Sequence, residues 1–125
     1  MNIVDSSGWL EFFAGGHNAE NFLEPLEDPT QLIVPTITIY EVFKVVLRES
    51  DENKALQAIS AMQKGIVIDL NFKLSLNSAK ISLENKIPMA DSIIIATANA
   101  YDCTIWTQDS DFENLPNVKY FPKIY

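Results

Sequence analysis

The chain is poor in the residues that soft-metal and covalent chemistry require. One cysteine and one histidine occur in 125 residues. A lone cysteine cannot close an internal disulfide. Cys103, flanked by Tyr101 and the apolar Ile105 and Trp106, reads as a small buried hydrophobe in a reducing cytoplasm. One histidine and one cysteine cannot make a normal zinc site. His17, following Gly15-Gly16, reads as a surface loop residue. No G-x-S-x-G elbow surrounds a serine, so a Ser-His-Asp hydrolase is excluded, and Walker A and G-x-G-x-x-G phosphate loops are absent. The longest apolar run, Ile93-Ile94-Ile95-Ala96, is far too short to span a bilayer, and Met1-Asn2-Ile3-Val4-Asp5 lacks the basic leader of a secretory signal. No membrane association is expected.

Positive charge is also scarce. Nine Lys and Arg face 17 Asp and Glu, a formal net charge of −8, which excludes a wide basic surface for holding nucleic acid. Acids gathered around bound cations would change the local sign, although two divalent ions would still leave the whole chain acidic. A basic protein partner fits that balance.

What is present is an ordinary globular composition, 47% hydrophobic and 21% charged, with a length that predicts one domain spanning residues 1–125. Asn2-Ile3-Val4 predicts a buried strand, and Asp5-Ser6-Ser7-Gly8 a helix cap after it. Trp9, Leu10, Phe12 and Phe13 give a helical apolar face ended by Gly15-Gly16, and a short helix from Ala19 to Leu26, Phe22 and Leu23 inward, breaks at Asp28-Pro29. Leu32-Ile33-Val34 is a second strand, closed by Pro35. A long helix starts at Thr38, with Val42, Val45, Val46 and Glu49 on recurring turns. Asp51-Glu52-Asn53 punctuates it before a further helix to Gln63-Lys64-Gly65. Ile66-Val67-Ile68 is a third strand. Phe72 to Asn85 reads as an amphipathic helix through Leu76, Ala79 and Leu83, and Ala90 to Tyr101 as a helix buried in the core. Thr104-Ile105-Trp106 is a fourth strand, followed by a turn in which Ser110 and Glu113 have capping-box spacing. Val118 to Phe121 is a last, edge strand. Short apolar strands alternating with helices predict an α/β fold, a three-layer α/β/α sandwich around a short, mostly parallel sheet.

Ligands of such sheets bind beyond the carboxyl ends of the strands. Asp5 directly follows the first strand, Asp109 shortly follows the fourth, Glu41 lies early in the helix after the second, and Asp91 lies in the first turn of the buried helix. Singly, each has a bland explanation: a helix start for Asp5 and Asp91, surface pairing with Lys44 and Arg48 for Glu41, turn chemistry for Asp109 and Asp111. Together they resist it. Glu41 is set among Ile37, Ile39, Val42, Phe43, Val45 and Val46, so its helix is expected to be largely buried, and no basic residue lies within four positions of Asp5, Asp91 or Asp109. Two carboxylates about 5 Å apart repel by roughly 3 kcal/mol at an effective dielectric near 20. Four in one pocket need a counter-charge, and hard oxygen donors select Mg2+ or Mn2+. An all-acid site of that kind suits hydrolysis of a phosphodiester by a metal-activated water.

The blocks Ile3-Val4-Asp5-Ser6-Ser7, Pro35 to Val42, Pro88 to Ala98 and Ile105 to Phe112 resemble the PIN domain, in that family's order and over nearly the whole chain. Among PIN proteins the size and the blocks look most like VapC, the toxin half of a toxin–antitoxin pair. The resemblance implies a magnesium-dependent endoribonuclease, with manganese able to substitute, acting on RNA. It makes Asp5, Glu41, Asp91 and Asp109 the catalytic, metal-binding acids and makes Asp111, Thr107 and Ser6 auxiliary. It also implies a homodimer and a cognate antitoxin whose tail covers the pocket, for which Trp9, Phe12, Phe13, Phe22 and Leu23 offer either ordinary core or a groove. The competing readings are a catalytically silent PIN-like binding module and a metal-dependent nuclease acting on DNA. A phosphatase of the haloacid-dehalogenase type would want Asp-x-Asp where Asp5-Ser6-Ser7 stands.

Overall fold

A computed structural model describes residues 1–125. The elements run β1 (Asn2–Val4), α1 (Ser6–Ala14), a 3-10 turn (Ala19–Phe22), α2 (Leu23–Leu26), a second such turn (Pro29–Gln31), β2 (Ile33–Pro35), α3 (Thr36–Glu49), α4 (Glu52–Met62), β3 (Ile66–Ile68), α5 (Phe72–Asn85), α6 (Met89–Tyr101), β4 (Thr104–Thr107), a third such turn (Ser110–Phe112) and β5 (Val118–Tyr120). Every strand pairing is parallel: β1 with β4, β4 with β5, and β2 with β3. A parallel bridge between Asn2 and Leu32 joins the two ladders, giving the order β3-β2-β1-β4-β5. The order reverses direction between β1 and β4. That is the topological switch point, where such sheets open a crevice.

Successive strand residues point to opposite faces, and both faces of β1, β2 and β4 are covered, which is why these strands read as short apolar runs, while the edge strand β3 leaves Ile66 and Val67 exposed. Val4, Leu32, Val34 and Trp106 pack with Trp9, Phe22, Val42, Ala58 and Met62 on one side. Ile3, Ile33 and Ile105 pack with Ile94, Ala98, Cys103 and Phe112 on the other. These are the outer layers of a three-layer sandwich. Gly8 allows α1 to sit close to β1, since a Cβ there would lie 2.6 Å from Val4 Cγ1 and 2.8 Å from Phe22 Cε1. Gly15 ends the helix with φ +64, the left-handed conformation that glycine adopts without strain.

Several expectations need correction. Helix α3 begins at Thr36, not Thr38, because Pro35 serves both as the last residue of β2 and as the helix cap. Thr38 already lies inside the first turn, its hydroxyl donating to the Pro35 carbonyl at 2.7 Å. Nor is α3 largely buried: only Thr38 and Val42 are, while Tyr40 and Leu47 face out, because α1 and α4 cover just one side of it. In α6 the middle is buried, from Ser92 to Ala98 apart from a half-buried Ile95, but Met89, Asn99 and Ala100 are exposed. Leu23 is exposed while Phe22 is buried.

The largest departure is α5. Its span is as expected, but the inward residues are Leu74 and Ser78, and the apolar stripe Phe72, Leu76, Ala79 and Leu83 faces outward. Phe72 and Leu83 are 81% and 84% exposed. After β4, the 3-10 turn is capped not by Ser110 but by Asp109, whose carboxylate accepts from the Asp111 N–H at 2.9 Å. No helix is long and apolar enough to cross a membrane.

Candidate functional site

The crevice at the switch point collects acids from four elements. Asp5 leaves the end of β1 in an extended conformation and caps α1, so the strand's last turn outward places its carboxylate at the rim. Asp91 enters from the first turn of α6, Glu41 from the second turn of α3, and Asp109 and Asp111 from the turn after β4. Carboxylate oxygens of Asp91, Asp109 and Asp111 lie within 4.8 Å of one another. That group is the tightest, and it includes Asp111, expected only as an auxiliary. Asp5 and Glu41 stand outside it but share its field, since both raise Asp91 and both are raised by Asp109.

Asp5 is only 3% exposed. Its Oδ1 accepts from the Ser7 hydroxyl at 2.7 Å and the Gly8 N–H at 3.0 Å, and its Oδ2 accepts from the Thr107 hydroxyl at 2.6 Å. Burial pushes its pKa up to about 6, against the pull of those three hydrogen bonds, with Asp109 adding repulsion. Asp91 has no hydrogen bond to its side chain and is pushed further, to about 7. Burial is the first cause, and Asp109, Asp111, Asp5 and Glu41 add repulsion in that order. The amino end of α6 favours a carboxylate in its first turn by up to about 2 kcal/mol when partly buried, and here the opposing effects outweigh it. Glu41 is raised by burial and by Asp109, with the Ser6 side chain opposing.

No cation answers these charges. The one ion pair in the chain, Arg48 with Glu49 at 3.2 Å, is on the surface. Lys44 sits over the Tyr40 ring instead of on Glu41, 5.6 Å from its centroid. Magnesium is held by one or two carboxylates together with water, and Asp91, Asp109 and Asp111 are the acids close enough together to hold such an ion. The donors are all hard oxygens, with no histidine or thiol among them, and they fit magnesium or manganese.

Thr107 is fully buried and holds two acids at once: it donates to Asp5 and accepts from the Asp109 N–H at 2.8 Å. Ser7 supplies the second hydroxyl on Asp5, and the Ser6 side chain hydrogen-bonds to Glu41. Sequence reasoning passed over Ser7's role and two buried amides, Asn18 and Gln108, that join it. Gln108 could have been noticed from its place between Thr107 and Asp109. Asn18 carries no such signal, because the partners of its side-chain nitrogen, Gln108 and Pro122, are 90 and 104 positions away. His17 is exposed and remote in chemistry, as expected.

A groove of about 830 Å³ runs from Ser6, Ser7 and Gln108 along α1, α3 and α4, walled by Leu10, Phe13 and Val46. Trp9 and Phe22 belong to the core beneath it.

A family model described as PIN domain matches residues 3–118. No curated protein matches the sequence. Among solved structures, a toxin–antitoxin complex from Klebsiella pneumoniae is similar with TM-score 0.82 and 23% identity, over 98% of this chain and 100% of that one. VapC20 from Mycobacterium tuberculosis, a sarcin-ricin loop cleaving toxin, is similar with TM-score 0.79 and 17% identity, again over 98% and 100%. VapBC2 from Rickettsia felis, bound to a DNA fragment from its promoter, gives TM-score 0.71 and 18% identity over 97% of each chain. At these identities the likeness is one of fold.

Proposed function

The chain belongs to the PIN domain family, and from that premise we propose that it is a metal-dependent endoribonuclease, the toxin of a toxin–antitoxin pair. One observation carries the reading: five carboxylates converge on the switch-point crevice with no protein cation to neutralise them. The activity is assigned to residues 1–125 as a single catalytic domain.

Asp91, Asp109 and Asp111 are assigned as the nearest ligands of the ion, with Asp5 and Glu41 completing the site on the sheet side. A bound magnesium or manganese ion supplies an activated water and offsets the charge that develops on a phosphodiester. The protein's share is placement. Asp5 is locked by three hydrogen bonds and cannot swing away. Thr107 keeps Asp109 in register with it, and the Glu41 and Asp91 carboxylates enter from opposite helices. Water activated in such a setting needs no nucleophilic side chain, which agrees with the shortage of histidine and cysteine.

The structural relatives include toxins held with antitoxins, and this chain offers features that suit the same arrangement. The groove beside Ser7 and Gln108 has apolar walls and starts next to Asp5, suited to an antitoxin segment that lays an apolar face along it and reaches the crevice acids with a basic residue. The outward stripe on α5 suits a second copy of the chain, and a monomeric mass in solution would remove that assignment. A free, buried Cys103 and the absence of a disulfide suit the cytoplasm, the compartment we assign.

The test is direct. Purified protein with Mg2+ or Mn2+ should cut RNA internally, stop when a chelator removes the metal and recover when Mn2+ is returned. Cleavage of DNA in preference to RNA would move the substrate assignment, and metal binding without cleavage of either would leave only a binding module.

A further inference from the structure

We propose that Asn18 and Gln108 are positioning residues for the acid site, a buried amide pair that aims two hydroxyl groups at Asp5. The proposal rests on the nuclease reading above and says how this chain holds its first acid.

The argument begins with donors and acceptors. A hydroxyl has a single proton, so a group that donates to it decides where that proton points. The Gln108 backbone N–H donates to Ser7 Oγ at 3.1 Å, which leaves the Ser7 proton for Asp5 Oδ1. The next backbone N–H, that of Asp109, donates to Thr107 Oγ1, which leaves the Thr107 proton for Asp5 Oδ2. Two consecutive N–H groups thus aim one hydroxyl at each oxygen of Asp5. Their direction depends on how the chain lies just beyond β4, where the ladder ends at Thr107.

Gln108 fixes that segment. It is 7% exposed, and its Nε2 donates to the Ser7 carbonyl at 3.3 Å. Its Oε1 accepts from Asn18 Nδ2 at 2.8 Å. Asn18, 3% exposed, uses the same nitrogen to reach the Pro122 carbonyl at 2.9 Å, while its Oδ1 accepts from Asn21 and its N–H reaches Glu11. No buried side-chain polar atom in the chain lacks a partner, so the relay is complete from the segment after β5 to the first acid. Neither amide touches the crevice itself. Both act through Ser7 and Thr107.

A buried amide pair that merely satisfied the core would affect stability alone, so the test must read the site. Asn18→Asp keeps the shape but turns a double donor into an acceptor facing two acceptors, and Gln108→Met keeps length while removing both polar atoms. The readouts are Mn2+ affinity by calorimetry on folded protein, KM against kcat for RNA cleavage, and thermal midpoint. Both variants should bind Mn2+ about 10- to 100-fold more weakly, the range for groups that orient metal-binding residues, with kcat falling and KM held within about twofold. Ser7→Ala should move the same way and Ser7→Thr, which keeps the hydroxyl, should recover, so the case survives a failure of Asn18→Asp to fold. Variants that melt earlier yet bind Mn2+ as tightly as the wild type overturn the proposal alone. A wild type that binds no Mn2+ overturns the nuclease reading and this one with it.

Discussion

Asp5 and Asp91 face the same crevice and are both pushed upward by burial, yet the chain treats them in opposite ways. Asp5 is surrounded by donors: two hydroxyls and a backbone N–H, the hydroxyls themselves oriented by further N–H groups. Asp91 is half-buried, accepts no hydrogen bond and faces four other acids. The first carboxylate is made tolerable by protein, the second is left for something outside the protein to neutralise. A site built so divides labour between a fixed anchor and an unsatisfied rim. The comparison teaches that position in the crevice is not enough to define an acid's role, and that its partners decide it.

The largest effect expected from breaking that contrast is on activity. Asp91→Asn and Asp5→Asn should each lower RNA cleavage by at least about a hundredfold, since each removes an oxygen ligand or anchor of the site. Their stabilities should differ. At Asp91 the amide relieves repulsion, so the thermal midpoint without metal should rise or hold. At Asp5 the amide also relieves a buried charge, but its N–H2 meets a Thr107 hydroxyl whose acceptor side is already occupied, a mismatch of about 1–3 kcal/mol that should cancel most of that gain. Equal shifts in denaturant midpoint for the two variants would erase the distinction.

A smaller effect follows from pH. The folded-state pKa of Asp5, about 6, lies above its ordinary 3.8, and that of Asp91, about 7, does too. The folded protein then holds protons that the unfolded chain has released, so stability falls as pH rises through this window. Without metal, the protein should be less stable at pH 7.5 than at pH 4.5, by about 2 kcal/mol from Asp5, with a lesser, solvent-screened share from Asp91. Mg2+ should restore stability at the higher pH and do little at the lower. Thermal melts at the two pH values, with and without the ion, measure it, and a protein steadier at pH 7.5 without metal contradicts the account.

Much of this was legible in the chain, for reasons particular to each part. Strands with both faces covered leave apolar runs, and Asp5, directly after one such run, had to lie at the rim formed by the strands' carboxyl ends. Helix ends at Gly15 and the exact span of α5 followed from local chemistry. What local chemistry cannot carry is which side of an element meets the rest of the molecule. The apolar stripe of α5 pointed outward because periodicity shows that a face is apolar, not what covers it. The same limit applies to α3, whose many apolar residues leave only Thr38 and Val42 buried. The pairing of Asn18 with Gln108 leaves no local signal, because it joins residues 90 positions apart. Asp111 was underrated because a two-residue offset along a turn does not reveal that its carboxylate closes on Asp91.

Asp111 gives the finest test of the contrast between anchor and rim. Its carboxylate belongs to the tight group with Asp91 and Asp109, but the residue is exposed, so water screens much of its charge. Asp111→Asn keeps the backbone N–H that donates to Asp109 Oδ1, leaving the turn itself undisturbed. The variant should need about tenfold more Mn2+ for half-maximal cleavage and should regain nearly full kcat once the ion is saturating. A metal titration of the cleavage rate reads both quantities in one experiment. If saturating Mn2+ fails to rescue it, and the loss matches that of Asp91→Asn, Asp111 acts on the reacting phosphate and not only on the ion's affinity. An unsatisfied rim would then contain two acids of equal weight, and exposure would be a poor guide to which carboxylates this crevice depends on.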